Sequence, residues 1–243
     1  MGNILLLGPD KRKAVTSVFH ASTGLPSKRY TAPMRLIVFG ARGKTGREIV
    51  TQALERGHQV TAFVRRPEKL GLSHERLSVA RGNVMDSASV DAAMAGHDAV
   101  LIALGHRRYL GPSSILSRGT QNIVDAMKKH GVRRIVCETA LGVGDSAGRL
   151  GVYYTFFVIP FILPFYWYDK GRQERVVRDS GLEWVIVRPG QLTNGRKRGQ
   201  YRHGPKVGNY LWSVSIARAD VADFMLNQAG ETPYLRASPG VSY

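Results

Sequence analysis

Residues 36–46, LIVFGARGKTG, place three glycines, Gly40, Gly43 and Gly46, directly behind a short apolar run. An amphipathic stretch follows, with Ile49, Val50, Ala53 and Leu54 recurring on one helical face. Strand, tight turn and helix in this order suit one chemistry. Glycines let the backbone approach a pyrophosphate, while the helix N-terminus offers free N–H groups and the positive end of its dipole. Gly40, Gly43 and Gly46, with the start of the helix, are therefore the candidate phosphate cradle. The alternative is a purely structural turn.

A second apolar run, 59–64, ends in Arg65-Arg66-Pro67. A site for NAD carries an acidic residue near the end of this strand, about 20 residues past the glycines, to hold the ribose 2′-hydroxyl. Here two arginines stand in that place, and the first carboxylate is Glu68. A guanidinium matches a phosphate bidentately, whereas a carboxylate repels it. The sequence thus favours NADP(H) over NAD(H), with Arg65 and Arg66 on the 2′-phosphate and Arg42 beside it. Solvated surface charge is the plainer account of both arginines.

These residues need a frame. After Met34, apolar runs at 35–39, 59–64, 77–80, 99–103, 134–137 and 184–187 alternate with helical patterns at 45–56, 87–95, 114–130, 170–180 and 219–228. That alternation predicts an α/β fold: a doubly wound parallel sheet covered by helices on both faces. Gly57, Gly131 and Gly181 each follow a helix, as C-terminal capping glycines do. A chain of 243 residues suits one such domain, spanning 34–243.

Residues 1–33 read differently, with one short apolar run and then polar, basic and turn residues. A targeting peptide, a disordered extension and an upstream start chosen in error compete. The run is too short for a secretory signal, which favours the other two.

The net charge is +17, of which the first 33 residues supply +4 (five Lys/Arg against Asp10). Such a field attracts anionic ligands. No nucleic-acid-binding signature accompanies it, so no specific nucleic-acid partner is expected. The lone cysteine, Cys137, excludes an internal disulfide and lies in an apolar strand, which reads as a packed thiol in a reducing, cytoplasmic setting. No metal-ligand cluster is legible.

Seven short motifs occur in order: the glycine loop, Gly82-Asn83-Val84-Met85-Asp86, Asp98-Ala99-Val100, Ala103-Leu104-Gly105, Ser180-Gly181-Leu182, Arg188-Pro189-Gly190 and Ala219-Asp220-Val221-Ala222-Asp223. Together the chain resembles an atypical short-chain dehydrogenase/reductase of the NAD(P)H-binding kind, similar to biliverdin reductase B (a flavin reductase) and to NmrA-like proteins. The resemblance implies a Rossmann fold with a small substrate-capping region. It implies that Gly40, Arg42, Gly43, Lys44, Thr45 and Gly46 hold the pyrophosphate and that Asn83 and Val84 flank the adenine, with Asn standing where the family often has Asp. Ala103, Leu104 and Gly105 would lie beside the nicotinamide ribose, and Arg188 and Pro189 next to cofactor or substrate. Asp220, near a helix N-terminus, is expected to serve the fold.

Hydride transfer to a carbonyl or imine needs a proton donor and a partner for the developing anion. Relatives use a Tyr-x-x-x-Lys pair, and this chain has Tyr166 and Lys170 at that spacing. Pro164 and Asp169 are both candidate helix starts, and only the first puts Tyr166 on the helix of Lys170. Thr139 ends the fifth strand, where it either bonds a substrate oxygen or its own turn backbone. Glu138 receives no role, and His106, just after Leu104-Gly105, either faces the site or, as is commoner for a histidine in a polar turn, is solvated.

Segment 151–168, GVYYTFFVIPFILPFYWY, has no charge. Pro160 and Pro164, and its place between two sheet strands, argue against a membrane span. An aromatic substrate lid competes with a peripheral membrane contact or a homodimer interface. Segments 141–168 and 191–215 are the expected cap. The function that follows is an NADPH-dependent oxidoreductase acting on a small planar or hydrophobic acceptor (flavin, quinone, tetrapyrrole or carbonyl). The rival is a non-catalytic NADP(H) sensor of the NmrA-like type.

Overall fold

The computed structural model describes residues 32–106, 111–230 and 232–243. The expectation for the N-terminal extension therefore falls, up to residue 31, outside the described residues.

Strand β1 (Arg35–Phe39) leads into helix α1 (Lys44–Glu55), followed by β2 (Gln59–Val64), β3 (Leu77–Arg81) and α2 (Ser87–Met94). Next come β4 (Ala99–Ile102), α3 (Ile115–Lys129) and β5 (Arg134–Glu138). A π-turn at Tyr154–Val158 and a short α4 (Ile159–Phe161) precede α5 (Pro164–Arg178). The chain closes with β6 (Glu183–Pro189), β7 (Gln191–Thr193), β8 (Arg202–Gly204), β9 (Ser215–Ala217), α6 (Arg218–Asn227) and β10 (Gly240–Ser242).

The main sheet runs β3-β2-β1-β4-β5-β6-β10-β8, parallel throughout except for β8 against β10. Successive side chains of a strand face opposite ways, so each strand feeds two cores. Leu36 and Val38 join Ile49 and Val50 of α1 and Val221 and Met225 of α6 on one face. Ile37 and Phe39 join Val90 and Met94 of α2 and Ile123 and Met127 of α3 on the other. The continuous apolar strand runs of the sequence follow from this double burial, and the doubly wound expectation is borne out.

Three differences from the sequence reading have local causes. Helix α5 begins at Pro164 rather than Lys170, with proline at the first helical position, where its missing N–H costs nothing. Asp169 does not start that helix. Its carboxylate instead accepts from Leu116 N (2.9 Å), Ser117 N (3.2 Å) and Ser117 Oγ (2.5 Å), capping α3 from outside. Part of segment 191–215 is sheet rather than loop, because β8 adds an antiparallel edge to β10.

Segments 141–168 and 191–215 leave the C-terminal ends of β5 and β6 and meet. Leu150 bridges Asn209, and Val152 N donates to Leu211 O at 3.4 Å. Among the described residues, no helix is long and apolar enough to cross a membrane.

Candidate functional site

Strand order reverses direction between β1 and β4, and ligands of open α/β sheets bind outside the strand ends at that point. The glycine turn leaves β1 there. Gly40 has φ +84°, and a Cβ on it would stand 2.3 Å from the Ala103 carbonyl oxygen. A Cβ on Gly46 would stand 2.2 Å from the Gly40 carbonyl oxygen. Only glycine lets the turn fold against both β4 and its own helix. Gly43 caps α1 in extended conformation, the cap carries no side-chain bond, and the first turn holds no acidic residue. Its positive end is left for an anion.

Arg42, Lys44, Arg65 and Arg66 are exposed around this turn and the end of β2. Among the described residues, no carboxylate lies within ion-pair distance of any of them. The donor set fits a phosphorylated dinucleotide on these grounds. Asn83 is less open than the resemblance implies, since its Oδ1 already accepts from Met85 N at 3.2 Å. Val84 packs into the core, and its carbonyl accepts from Asn122 Nδ2 at 2.8 Å.

Because α5 starts at Pro164, Tyr166 and Lys170 lie one turn apart on one helix, with the Lys170 ammonium 5.9 Å from the Tyr166 ring centroid. Lys170 is 2% exposed. Its Nζ donates to Leu104 O (3.2 Å), Glu138 O (3.0 Å) and Gln173 Oε1 (3.1 Å). It thereby joins the ends of β4 and β5. The Tyr166 hydroxyl is 3.6 Å from the point where a Gly105 side chain would begin, so it reaches the Ala103-Leu104-Gly105 segment. His106 stacks edge-on against Tyr166 at 5.0 Å, and its Nε2 lies 4.0 Å from Asp169 Oδ2. With its side chain 7% exposed, His106 is not a solvated turn residue.

Thr139 does neither of the things weighed for it. Its hydroxyl donates to Glu174 Oε1 at 2.8 Å, leaving a substrate only its lone pairs. Glu174 in turn takes a bidentate pair from Arg188, at 2.9 Å (Nε) and 2.6 Å (Nη2). Arg188 is 1% exposed and also meets Asp145 at 2.7 Å. The expectation of Arg188 beside cofactor or substrate is thus corrected: its guanidinium is consumed internally, tying β6 to α5 and the 141–168 segment. The Arg188 bond holds the Asp145 carboxyl down at about 2. Asp220 serves the fold, accepting from Arg198 N, Gly199 N and the Tyr243 hydroxyl.

Glu138 is the residue sequence reasoning passed over. A carboxyl ending an apolar strand was the available signal. It is buried, accepts from Thr45 Oγ1 at 3.2 Å, and burial pushes its pKa up, with Lys170 nearby pulling the other way. Burial also raises the Cys137 thiol to about 12, which keeps it protonated and inert. Among the described residues no cluster of metal-ligating side chains occurs.

An uncharacterized chloroplastic protein of Arabidopsis thaliana is 33% identical over 198 residues, covering 78% of this chain and 69% of its own. A Streptomyces griseus protein named (4-alkanoyl-5-oxo-2,5-dihydrofuran-3-yl)methyl phosphate reductase is 28% identical over 154 residues, 63% of this chain and 46% of the relative, so the chain spans less than half of that protein. A Veillonella parvula short-chain dehydrogenase/reductase crystallised with NADP shares the fold at 21% identity, with a TM-score of 0.71 over 87% of this chain and 95% of the other. The expected resemblance is borne out as an NAD(P)H-binding family and as a shared fold. The family described as NAD(P)H-binding matches residues 40–232, and with the glycine turn set at the sheet's reversal point the chain belongs to that family.

Proposed function

We propose that the protein is an NADPH-dependent oxidoreductase that reduces a small planar or hydrophobic acceptor. The observation that carries this reading is that the Tyr166 hydroxyl and the buried Lys170 ammonium both reach the Leu104-Gly105 segment that follows β4, beside the glycine turn. When bound, NADPH supplies the hydride. The first turn of α1 holds the pyrophosphate, and Arg65 and Arg66 hold the 2′-phosphate and set the preference over NADH. Lys170 fixes the ends of β4 and β5 and would favour the tyrosinate that remains once Tyr166 has protonated the acceptor. Hydride and proton together complete a two-electron reduction. Flavin, quinone, tetrapyrrole and carbonyl acceptors all suit the aromatic 151–168 segment. The Streptomyces relative named as a reductase supports the reaction class.

The lone buried Cys137 suits a reducing compartment, and we place the protein in the cytoplasm as a monomer or homodimer, although the Arabidopsis relative is named as chloroplastic. One observation favours the rival sensor reading: the Lys170 ammonium already has three internal acceptors, as a purely structural lysine does.

The test is acceptor-dependent loss of NADPH absorbance with FMN, biliverdin, a small quinone and no acceptor, with NADH in parallel. Turnover faster with NADPH, and lowered at least about tenfold in kcat by Tyr166→Phe without change in NADPH affinity, supports the reductase. Tight NADPH binding with no oxidation by any acceptor supports the sensor.

A further inference from the structure

Segments 151–168 and 209–212 expose large side chains in one place. Phe161 is 76% and Trp212 74% exposed, with Phe156, Phe157, Tyr210 and Leu211 each more than half exposed. The two segments are one surface. The backbone of Trp212 lies against Gly151, Val152 bonds Leu211, and the Tyr210 ring covers Gly148. Neither Asp nor Glu occurs between Asp145 and Asp169, or between Glu183 and Asp220. The latter stretch contains Arg196, Lys197, Arg198, Arg202 and Lys206.

A second feature borders this surface through Tyr168, 64% exposed, which the Arg172 guanidinium overlies at 6.0 Å. Between α3 and α5 runs an open groove of about 690 Å³ that Tyr168 shares with Arg118, Lys128, Arg172 and Arg175. Asp179 is the acid in its lining. Among the described residues, none of those four cations stands within 4.0 Å of a carboxylate.

We propose that this face docks on an anionic lipid surface. Aromatic rings with polar tips settle at the headgroup level, and apolar rings enter the acyl boundary. Stable peripheral binding takes two signals, apolar insertion and basic attraction, and here they adjoin. Charge also chooses between occupants. A second copy would bring a +17 chain against another, whereas an anionic leaflet complements it. The docked molecule lays α5, which carries Tyr166 and Lys170, alongside the lipid. The docking itself does not depend on the catalytic reading.

The experiment is co-sedimentation of the full chain with vesicles of phosphatidylcholine alone, or mixed with phosphatidylglycerol, at physiological salt. One variant combines Phe157→Ser, Phe161→Ser and Trp212→Ser; another combines Arg172→Glu and Arg175→Glu. NADPH binding, with light scattering for mass, checks that each variant is folded. The wild type is expected to pellet with the anionic vesicles and stay in solution with the neutral ones. Each variant is expected to lose about tenfold or more of that partitioning while still binding NADPH. Failure of the wild type to pellet with anionic vesicles overturns the proposal, as does equal retention on both vesicle types. A wild-type dimer that the apolar variant converts to monomer overturns it too, by assigning the face to self-association. An NADPH assay without turnover would sink the reductase reading and leave this result standing.

Discussion

Lys170 and Glu138 are joined through the main chain, the Lys170 ammonium donating to the Glu138 carbonyl oxygen at 3.0 Å while the Glu138 carboxyl turns away to Thr45. One residue therefore faces two parts of the site. Its backbone anchors the lysine under the β4 end, and its side chain braces the first turn of α1. Lys170→Met removes three bonds at once and leaves the buried Glu138 carbonyl and the half-buried Leu104 carbonyl without this donor. We expect a loss of about 2–4 kcal/mol in urea unfolding, and weaker NADPH binding by isothermal titration. Unchanged stability would mean that the carbonyls find water.

Asp169 caps α3 from a neighbouring helix, with two backbone N–H groups and one hydroxyl on its carboxylate. Asp169→Ala should cost about 1–2 kcal/mol. Asp169→Asn, which keeps an acceptor oxygen, should cost less. Chemical denaturation of both variants checks the order.

Arg65→Asp replaces a guanidinium with the carboxylate that suits a free ribose hydroxyl. NADPH affinity should fall by about tenfold or more, with NADH affinity unchanged or improved. Fluorescence titration with both nucleotides reads the difference. An NADPH affinity that stays level removes Arg65 from the phosphate site.

The Arg188–Glu174 pair is buried on both sides. Arg188→Met takes the bidentate partner from Glu174, leaving it Arg178 at 3.4 Å and the Thr139 hydroxyl, and should cost about 3 kcal/mol. Arg188→Met with Glu174→Leu should recover part of that loss, and thermal melts of the three proteins measure it.

Acid should destabilise the fold below neutrality through His58. Burial, with Arg56 nearby, lowers its pKa from the ordinary 6.5, and its Nδ1 accepts from Met34 N. The unfolded chain therefore binds a proton that the native chain refuses, and stability falls as pH drops through about 6.5. His58→Gln should flatten the stability profile between about pH 7 and 5.

The β1–α1–β2 unit was legible because its signals are local: an apolar run, glycines where a side chain would collide, and a helical stripe. Strands β8 and β10 were not, since three-residue strands owe their existence to partners far along the chain. The site divides in the same way. The glycines and arginines announced themselves by position along β1 and β2. The engagement of Thr139 and Arg188 with Glu174 depends on how α5 packs on β5 and β6, which no spacing encodes. Asp169 misled as a helix start because a capping residue in sequence looks the same whether it caps its own helix or another.

The pairing of β10 between β6 and β8 has a consequence for synthesis and turnover. Gly240–Ser242 are the wedge that closes the sheet on this side, and Tyr243 adds the hydroxyl bond to Asp220. Without that pairing, β6 keeps its bonds to Ala237 and Pro239, but β8 has no strand to lie against. A chain in which this pairing is lost then exposes an unpartnered edge, and is open to aggregation or proteolysis there.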